Sequence, residues 1–317
     1  MQLHLNLTPP SSNDPTVHDC LVIGSGPAGI SGAIYLKRKG LDVVIISAED
    51  GGQVATTSSV ENYPGFSSIS GAELTQSFMK QLDSLAVPTI SGRVQSIRKD
   101  DHFRVGLDSG RTLVSRTILY AAGAVRRKLG VPGEEAYAGR GVAYCSICDG
   151  PFFSGKHVIV VGGGNSAIES VIDLSKIARH VTLIHRSVLK ADQVEIDRMM
   201  NLTNVTVRLA TVIEEIRGDA LLREVLLKNT ATGETEVMLI DGVFVDVGNL
   251  PNSELVADLV ELNTRKEIVV DLEGRTTMAG LYAAGDVTNE KYKQIVVAAG
   301  KGASAALAIS DELNKRK

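Results

Sequence analysis

Gly24-Ser25-Gly26-Pro27-Ala28-Gly29 follows the short apolar run Cys20-Leu21-Val22-Ile23 and precedes a helical stretch, Ile30 to Lys39, with Gly40 placed as its C-cap. Leu41 to Ser47 supplies a second apolar strand, so strand, glycine turn, helix and strand stand in the order of a dinucleotide-binding βαβ unit. The glycines let the backbone turn sharply and approach a pyrophosphate, whose charge rests on the helix N-terminus. Glu49, just past the second strand, stands where an acid accepts hydrogen bonds from an adenosine ribose. The plan then recurs. His157 to Val161 runs into Gly162-Gly163-Gly164-Asn165-Ser166-Ala167, a GxGxxA turn; Ile168, Val171, Leu174 and Ile177 keep helical spacing behind it, and Val181 to Ile184 is the next strand. A chain that carries this unit twice is constrained to an α/β fold with two Rossmann-like dinucleotide-binding domains. An acid beyond the second repeat would hold a ribose 2′-hydroxyl, whereas basic groups accommodate a 2′-phosphate. The residues there are His185-Arg186-Ser187, with Lys190 close behind, which points to NADPH.

Between the two repeats lies Cys145-Ser146-Ile147-Cys148-Asp149-Gly150. Two cysteines separated by two residues can close a reversible disulfide, and a lowered thiol pKa at such a turn makes one of them a nucleophile. Asp149 follows directly and is placed to hold or deliver the proton that moves as the pair opens and closes. Half of a zinc site has the same spacing, but such a site needs two more ligands. The only other cysteine is Cys20, and no second pair or Cys/His cluster accompanies it.

The rest of the chain supplies loops and small strands. Gly51-Gly52-Gln53 and Val60-Glu61-Asn62-Tyr63-Pro64-Gly65 are too polar and glycine-rich for core, and Gly71 to Leu85 has the pattern of an amphipathic helix. Short alternating strands run from Val94 to Tyr120, ending at Ala121-Ala122-Gly123, and again from Val205 to Val247. Arg126 to Gly133 and Leu250-Pro251-Asn252 are read as crossings between domains. Near the end, Gly285-Asp286 closes an apolar strand and leads through Lys293-Gln294 into a helix through Ala306. The 317 residues suit two domains, and a net charge of -4 with dispersed basic residues gives no footprint for nucleic acid. No apolar run reaches a membrane span of ~18 residues. Met1 to His18 is polar and carries Pro9, Pro10 and Pro15, unlike a secretory leader, and the sparse cysteines suit a reducing compartment, so the expected location is cytoplasmic.

In order and spacing, Gly24 to Gly29, Gly51-Gly52-Gln53, Val60 to Gly65, Cys145 to Gly150, Gly162 to Ala167 and Gly285-Asp286 with Lys293-Gln294 resemble the low-molecular-weight thioredoxin reductases, FAD-dependent pyridine nucleotide-disulfide oxidoreductases, along nearly the whole chain. The resemblance implies an FAD domain from residues 1–127 and 252–317, an inserted pyridine-nucleotide domain over 128–251 that carries the CxxC, a small β-meander in each, and a homodimer. It implies FAD contacts at Gly24, Ser25, Gly26, Pro27, Ala28, Gly29, Glu49, Gly52, Gln53, Asn62, Val94, Ala122, Gly123, Gly285, Asp286, Lys293, Gln294 and Ile295. NADPH contacts are implied at Gly162, Gly164, Asn165, Ser166, Ala167, His185, Arg186 and Lys190. Cys148 would lie beside the flavin, Cys145 would attack the disulfide of thioredoxin or a thioredoxin-like protein, and Asp149 would be the acid-base group. Since the CxxC and the nicotinamide share one domain and one flavin, they are expected to take turns through a domain rotation. The sequence departs from the family at one place. Ser187 stands where the family's NADPH signature has a second arginine, and Lys190-Ala191 replaces a later one, while Leu189 to Val194 resembles the NADH-using flavoprotein of alkyl hydroperoxide reductases. NADH or a non-nucleotide carrier such as ferredoxin is the alternative donor. A flavin oxidase, or a redox-responsive flavoprotein that does not use thioredoxin, is the alternative function.

Overall fold

The computed structural model describes residues 16–57 and 60–315. The proline-bearing arm up to Pro15 lies outside these residues. Along the chain run β1 (Val17–Ser25), α1 (Pro27–Arg38), β2 (Val43–Asp50), α2 (Gly71–Ser84), β3 (Thr89–Ser91), β4 (Val94–Lys99), β5 (Phe103–Leu107), β6 (Thr112–Tyr120) and β7 (Ala124–Arg126). Then come β8 (Val142–Ala143), the single turn α3 (Ser146–Asp149), β9 (His157–Val161), α4 (Asn165–Ser175), β10 (His180–Ile184), α5 (Gln193–Met200) and β11 (Val205–Arg208). The rest is β12 (Thr211–Gly218), β13 (Leu222–Asn229), β14 (Thr235–Leu239), β15 (Gly242–Val245), β16 (Asn249–Pro251), β17 (Leu281–Ala283) and α6 (Ile295–Lys315).

The chain divides into two compact units: Met1–Thr56, Gly71–Gly123 and Pro251–Lys317 form the first, Thr57–Ser70 and Ala124–Leu250 the second. The loop carrying Asn62 therefore groups with the second unit, away from the stretch to which the resemblance assigned it. The two crossings, β7 and β16, pair with each other as a short ribbon.

The first unit is built on a seven-stranded sheet in the order β3-β2-β1-β6-β5-β4, with β17 also paired to β6. β1 is parallel to both β2 and β6. Because successive side chains point to opposite faces, its unbroken apolar run fills two cores. Cys20 and Val22 pack with α1 and α6 on one face, Leu21 and Ile23 with β4, β5 and Val287 on the other. The helices can approach closely because small residues meet between them: a Cβ on Gly302 would come within 2.0 Å of the Ala28 carbonyl oxygen, and one on Gly32 within 3.2 Å of the Gly302 carbonyl oxygen. α6 runs to Lys315, past the expected end at Ala306, as Ala308, Ile309 and Leu313 continue its buried stripe.

The second unit has a parallel sheet in the order β11-β10-β9-β15-β8 and a separate antiparallel sheet β12-β13-β14. The expected run of meander strands from Val205 to Val247 is thus divided, since β11 and β15 join the parallel sheet. β9 is the centre of that sheet. Val158 and Val160 face the core beneath α4, and Ile159 and Val161 face the core that includes β12, β13 and Ile240.

Candidate functional site

In the first unit the carboxyl ends of β1, β2, β6 and β17, all mutually parallel where they pair, lie along one edge. Open α/β sheets bind ligands at such an edge. Gly24, at φ 105°, presses so closely on β6 that a Cβ would lie 2.4 Å from the Ala121 carbonyl oxygen. A Cβ on Gly29 would lie 1.9 Å from the Gly24 carbonyl oxygen, so that glycine closes the turn onto itself. Gly26 differs. It is the N-cap of α1, no side chain caps it, the first turn holds no acid, and a Cβ there would meet nothing within 4 Å. Open space therefore stands above amide groups whose partial positive charge has no side-chain oxygen to receive it. That cradle fits a pyrophosphate.

Around it, Ser25 is buried and its Oγ lies within hydrogen-bond distance of the Ser47 hydroxyl and the Glu49 carbonyl oxygen, both at 2.9 Å. Glu49 lies inside β2, which runs three residues beyond its expected end at Ser47, and its side chain is exposed. Gly52 passes near the cradle, a Cβ on it lying 3.6 Å from the Gly26 Cα, and Gln53 continues a short 3-10 turn. Ala122 and Gly123 are clamped by Asn252: its side-chain amide donates to the Ala122 carbonyl at 2.8 Å and its N–H to the Gly123 carbonyl at 3.0 Å. Tyr120 Oη donates in turn to the Asn252 carbonyl at 2.7 Å. Gly285 abuts the helix start, a Cβ there lying 3.0 Å from that of Ala28, and this sets Asp286 on the same edge. Gln294 and Ile295 lead into α6.

Two residues are placed otherwise. Val94 is buried in the core of β4 and pairs with Leu107. Lys293 serves the protein itself: its Nζ donates to the carbonyls of Thr288 at 2.6 Å and Asp286 at 3.2 Å and pairs with the buried Glu267 at 3.2 Å.

The second unit repeats the cradle. Gly164 caps α4 without a side-chain bond, and space above it is open, while a Cβ on Gly162 would lie 2.4 Å from the Asp246 carbonyl oxygen. Gly163 lies against the His185 ring, whose atoms would be 2.5 Å from a Cβ there. Burial first, then Arg186 and Lys190, lower the His185 pKa, so the ring is held neutral. Asn165 anchors the loop beyond: its amide donates to Asp192 Oδ2 at 3.0 Å and its oxygen accepts the Asp192 N–H at 2.8 Å. The Lys190 N–H donates to the Gly163 carbonyl at 2.6 Å, which fixes Lys190 beside the turn. Arg186, Ser187 and Lys190 are exposed, and among the described residues neither Arg186 nor Lys190 forms an ion pair. Ser166 opens the helix beside Ala167, which is fully buried.

Cys145 and Cys148 are joined as a disulfide, with Cα atoms 5.3 Å apart. Cys145 is the N-cap of α3, and its Sγ accepts the Cys148 N–H at 3.1 Å. That donor would favour a thiolate on Cys145 once the bond opens. Asp149 is partly buried. Desolvation raises its pKa, against the Arg126 guanidinium and backbone donors at Cys145 and Tyr144 that pull it down, so the carboxyl takes up a proton more readily than an exposed one. Ile147 and Phe152 are exposed on either side, at 55% and 47%. Cys20 is fully buried with its thiol pushed up to about 12, and stays a thiol. Among the described residues no group of three or more His, Cys, Asp or Glu is arranged to hold a metal.

Three features escaped the sequence reading. Glu134 is buried and accepts the N–H groups of Leu129 and Gly130 and the hydroxyl of Tyr144, tying the crossing to the residue before Cys145. Arg126 faces Asp149, and Asp246 stands directly after β15. A charged residue immediately ending the apolar strand Val243–Val245 was a visible signal for the last.

Two open glycine-capped helices, each at the carboxyl edge of a parallel sheet, together with a cysteine pair in the second unit, are the features of the class of dinucleotide-dependent disulfide oxidoreductases. The chain belongs to the pyridine nucleotide-disulphide oxidoreductase family, whose model matches residues 18–302. Membership implies FAD and a pyridine nucleotide. The chain is 42% identical over 293 residues to an alkyl hydroperoxide reductase subunit from Staphylococcus aureus (strain MSSA476), a match that covers 92% of this chain and 58% of that protein. It thus spans less than two thirds of the curated relatives it matches. Among solved structures, thioredoxin reductase from Streptococcus pyogenes MGAS5005 is 38% identical with a TM-score of 0.90, covering 95% of this chain and 100% of that one. Thioredoxin reductase from Giardia duodenalis is 30% identical with a TM-score of 0.90, covering 94% and 99%.

Proposed function

We propose that this protein is a flavoprotein disulfide reductase that passes electrons from NADPH through FAD and the Cys145–Cys148 disulfide to thioredoxin or a thioredoxin-like protein. The observation that carries this reading is the Cys145–Cys148 disulfide on a one-turn helix, in the same unit as an open, glycine-capped nucleotide cradle. Residues 1–127 with 252–317 are the FAD domain and 128–251 the nucleotide domain, bounds that differ from those of the two compact units at 57–70 and 124–127 and by one residue at 251. When bound, FAD supplies the ability to take a hydride from a nicotinamide and hand an electron pair to a disulfide. The protein's share is binding, orientation and proton handling. The amides at Gly26 and Gly164 hold the pyrophosphates, Arg186 and Lys190 face the 2′-phosphate, and Asp149 carries the proton of the opened pair. Cys145, with the Cys148 N–H on its sulfur, is the attacking thiolate. The protein acts as a cytoplasmic homodimer.

Anaerobic mixing with NADPH or NADH, read by bleaching of the flavin band, tests the donor, and turnover with a thioredoxin-like disulfide tests the acceptor. Cys145→Ser and Cys148→Ser should each abolish acceptor reduction while flavin bleaching persists. Thioredoxin-type turnover retained by either variant would refute the reading. A second reading, NADH as donor and the partner of a peroxide-reducing system as acceptor, is favoured by two observations: Ser187 and Lys190 leave the loop after β10 with a single guanidinium, that of Arg186, and the longer relative named for alkyl hydroperoxide reduction is 42% identical.

A further inference from the structure

Lys293 is the last cation before α6, and its ammonium has no donor to spare. Its three N–H groups are matched by three acceptors: the Thr288 carbonyl at 2.6 Å, the Asp286 carbonyl at 3.2 Å and Glu267 Oε1 at 3.2 Å. Two of these lie in the turn after β17, where the Gly285 carbonyl accepts both the N–H and the hydroxyl of Thr288, at 3.0 and 2.8 Å. Glu267 is 7% exposed and is held from its other side, Oε2 accepting from Asn263 Nδ2 at 2.7 Å and Arg265 Nε at 3.0 Å. We propose that Glu267 and Lys293 are a positioning pair for FAD: they fix the Gly285–Thr288 turn so that Asp286 stands at the cofactor edge of the first sheet, and Lys293 gives FAD no hydrogen bond of its own. The inference rests on the reading of residues 1–127 with 252–317 as the FAD domain.

The division of labour follows from charge and burial. An ammonium taken out of water next to two carbonyls alone would lose more hydration than they return, so the Glu267 carboxylate is what keeps Lys293 charged and in place. Glu267 can do this because its own backbone is locked: its N–H donates to Asn263 Oδ1 at 3.0 Å and its carbonyl accepts the Asn263 N–H at 2.9 Å. The next residue is joined to the turn itself, the Ile268 N–H donating to the Val287 carbonyl at 3.0 Å and the Ile268 carbonyl accepting the Asn289 N–H at 2.9 Å. Backbone bonds thus dock one segment on the other, and the ion pair closes that contact at Asp286. On its far side the turn meets the first cradle, since a Cβ on Gly285 would lie 3.0 Å from that of Ala28, near the start of α1. A carboxylate there suits the hydroxyls of the linker between flavin and phosphate, and it serves only while its backbone is held to within about 0.5 Å. The cation at position 293 therefore works on FAD through the Asp286 backbone.

The test dilutes full-length, flavin-loaded protein and reads FAD release as the rise of flavin fluorescence. Lys293→Met should raise the FAD dissociation constant by about tenfold or more, the scale of one charge-assisted contact. The discriminating measurement is the double variant with Asp286→Asn. If the ammonium acts through Asp286, Lys293→Met should weaken binding by about threefold or less once that carboxylate is gone, whereas a general loosening of the fold multiplies the two effects. Glu267→Gln, which keeps the side-chain volume and drops the charge, carries the same cycle if Lys293→Met does not fold. Wild-type FAD affinity in Lys293→Met, or two effects that multiply, overturns the proposal. Affinity is read apart from acceptor turnover, so either result leaves the reductase reading standing, whereas protein that takes up no FAD overturns both.

Discussion

Gly26 and Gly24 sit two residues apart and do opposite things. A methyl group on Gly26 enters the open space above the uncapped amides, whereas one on Gly24 strikes the Ala121 carbonyl at 2.4 Å with φ at 105°. Gly26→Ala should therefore leave the melting temperature of the apoprotein almost unchanged yet lower FAD affinity by about tenfold or more, the loss of one charge-assisted contact. Gly24→Ala should destabilise the apoprotein by about 1–3 kcal/mol in denaturant titration. Equal melting temperatures for the two variants would refute this division. The GxGxxG spacing names both glycines but not their separate duties, since only the packing of β6 against the turn reveals which one is in contact with backbone. Asp246 was legible only as a charge at a strand end. Its folded pKa, about 6, lies above the ordinary 3.8, so between those values the folded protein holds a proton that the unfolded chain has released. Stability should fall as pH rises through that window, by at most about 3 kcal/mol, and level off above it. Denaturant titrations of Asp246→Asn should lack this step, and a variant that retained it would place its origin elsewhere, with Asp149 the next candidate.

At the scale of elements, apolar continuity made the parallel strands readable and small residues hid what the helices do. β1, β2, β9 and β10 were evident because strands buried on both faces read as unbroken Val, Ile and Leu. Turns such as Lys99-Asp100-Asp101, Asp108-Ser109-Gly110 and Thr232-Gly233 mark the ends of the antiparallel strands, but alternation cannot say which sheet a strand joins. That is decided by partners far along the chain, and β11 and β15 went to the parallel sheet beside β10 and β9. α5 was missed because its eight residues bury only Met199 fully. α6 is the informative case. Its Gly302 lies under the Ala28 carbonyl at 2.0 Å from a would-be Cβ, so α6 supports the floor of the first cradle. Gly302→Val should push the two helices apart, costing about 2–4 kcal/mol by overpacking and lowering FAD retention as well. Loss of stability with FAD affinity unchanged would show that the cradle does not depend on α6.

For the whole molecule, the relatives point two ways, towards thioredoxin reductases of similar length and a longer subunit of alkyl hydroperoxide reductase. The loop after β10 holds the discriminating chemistry. Asn165 and the Lys190 N–H fix its path, so Arg186, Ser187 and Lys190 present their side chains from a defined backbone beside the Gly163 turn. Neither cation is consumed by an ion pair among the described residues, and both press on His185, lowering its pKa behind burial. An unpaired guanidinium and ammonium favour a dianionic 2′-phosphate over a hydroxyl, but a lysine is a point charge and lacks the planar fork that would grip two oxygens at once. NADPH should thus exceed NADH in kcat/KM only modestly. Ser187→Arg restores a second guanidinium. A charge-assisted contact contributes about 1.5–3 kcal/mol, so the variant should raise kcat/KM for NADPH by about ten- to a hundredfold while NADH changes little. Arg186→Ala should act in the opposite sense and erase the preference. If Ser187→Arg moved both nucleotides equally and flavin reduction stayed slow with each, the loop would not be reading the phosphate, and a different electron carrier would have to feed the flavin.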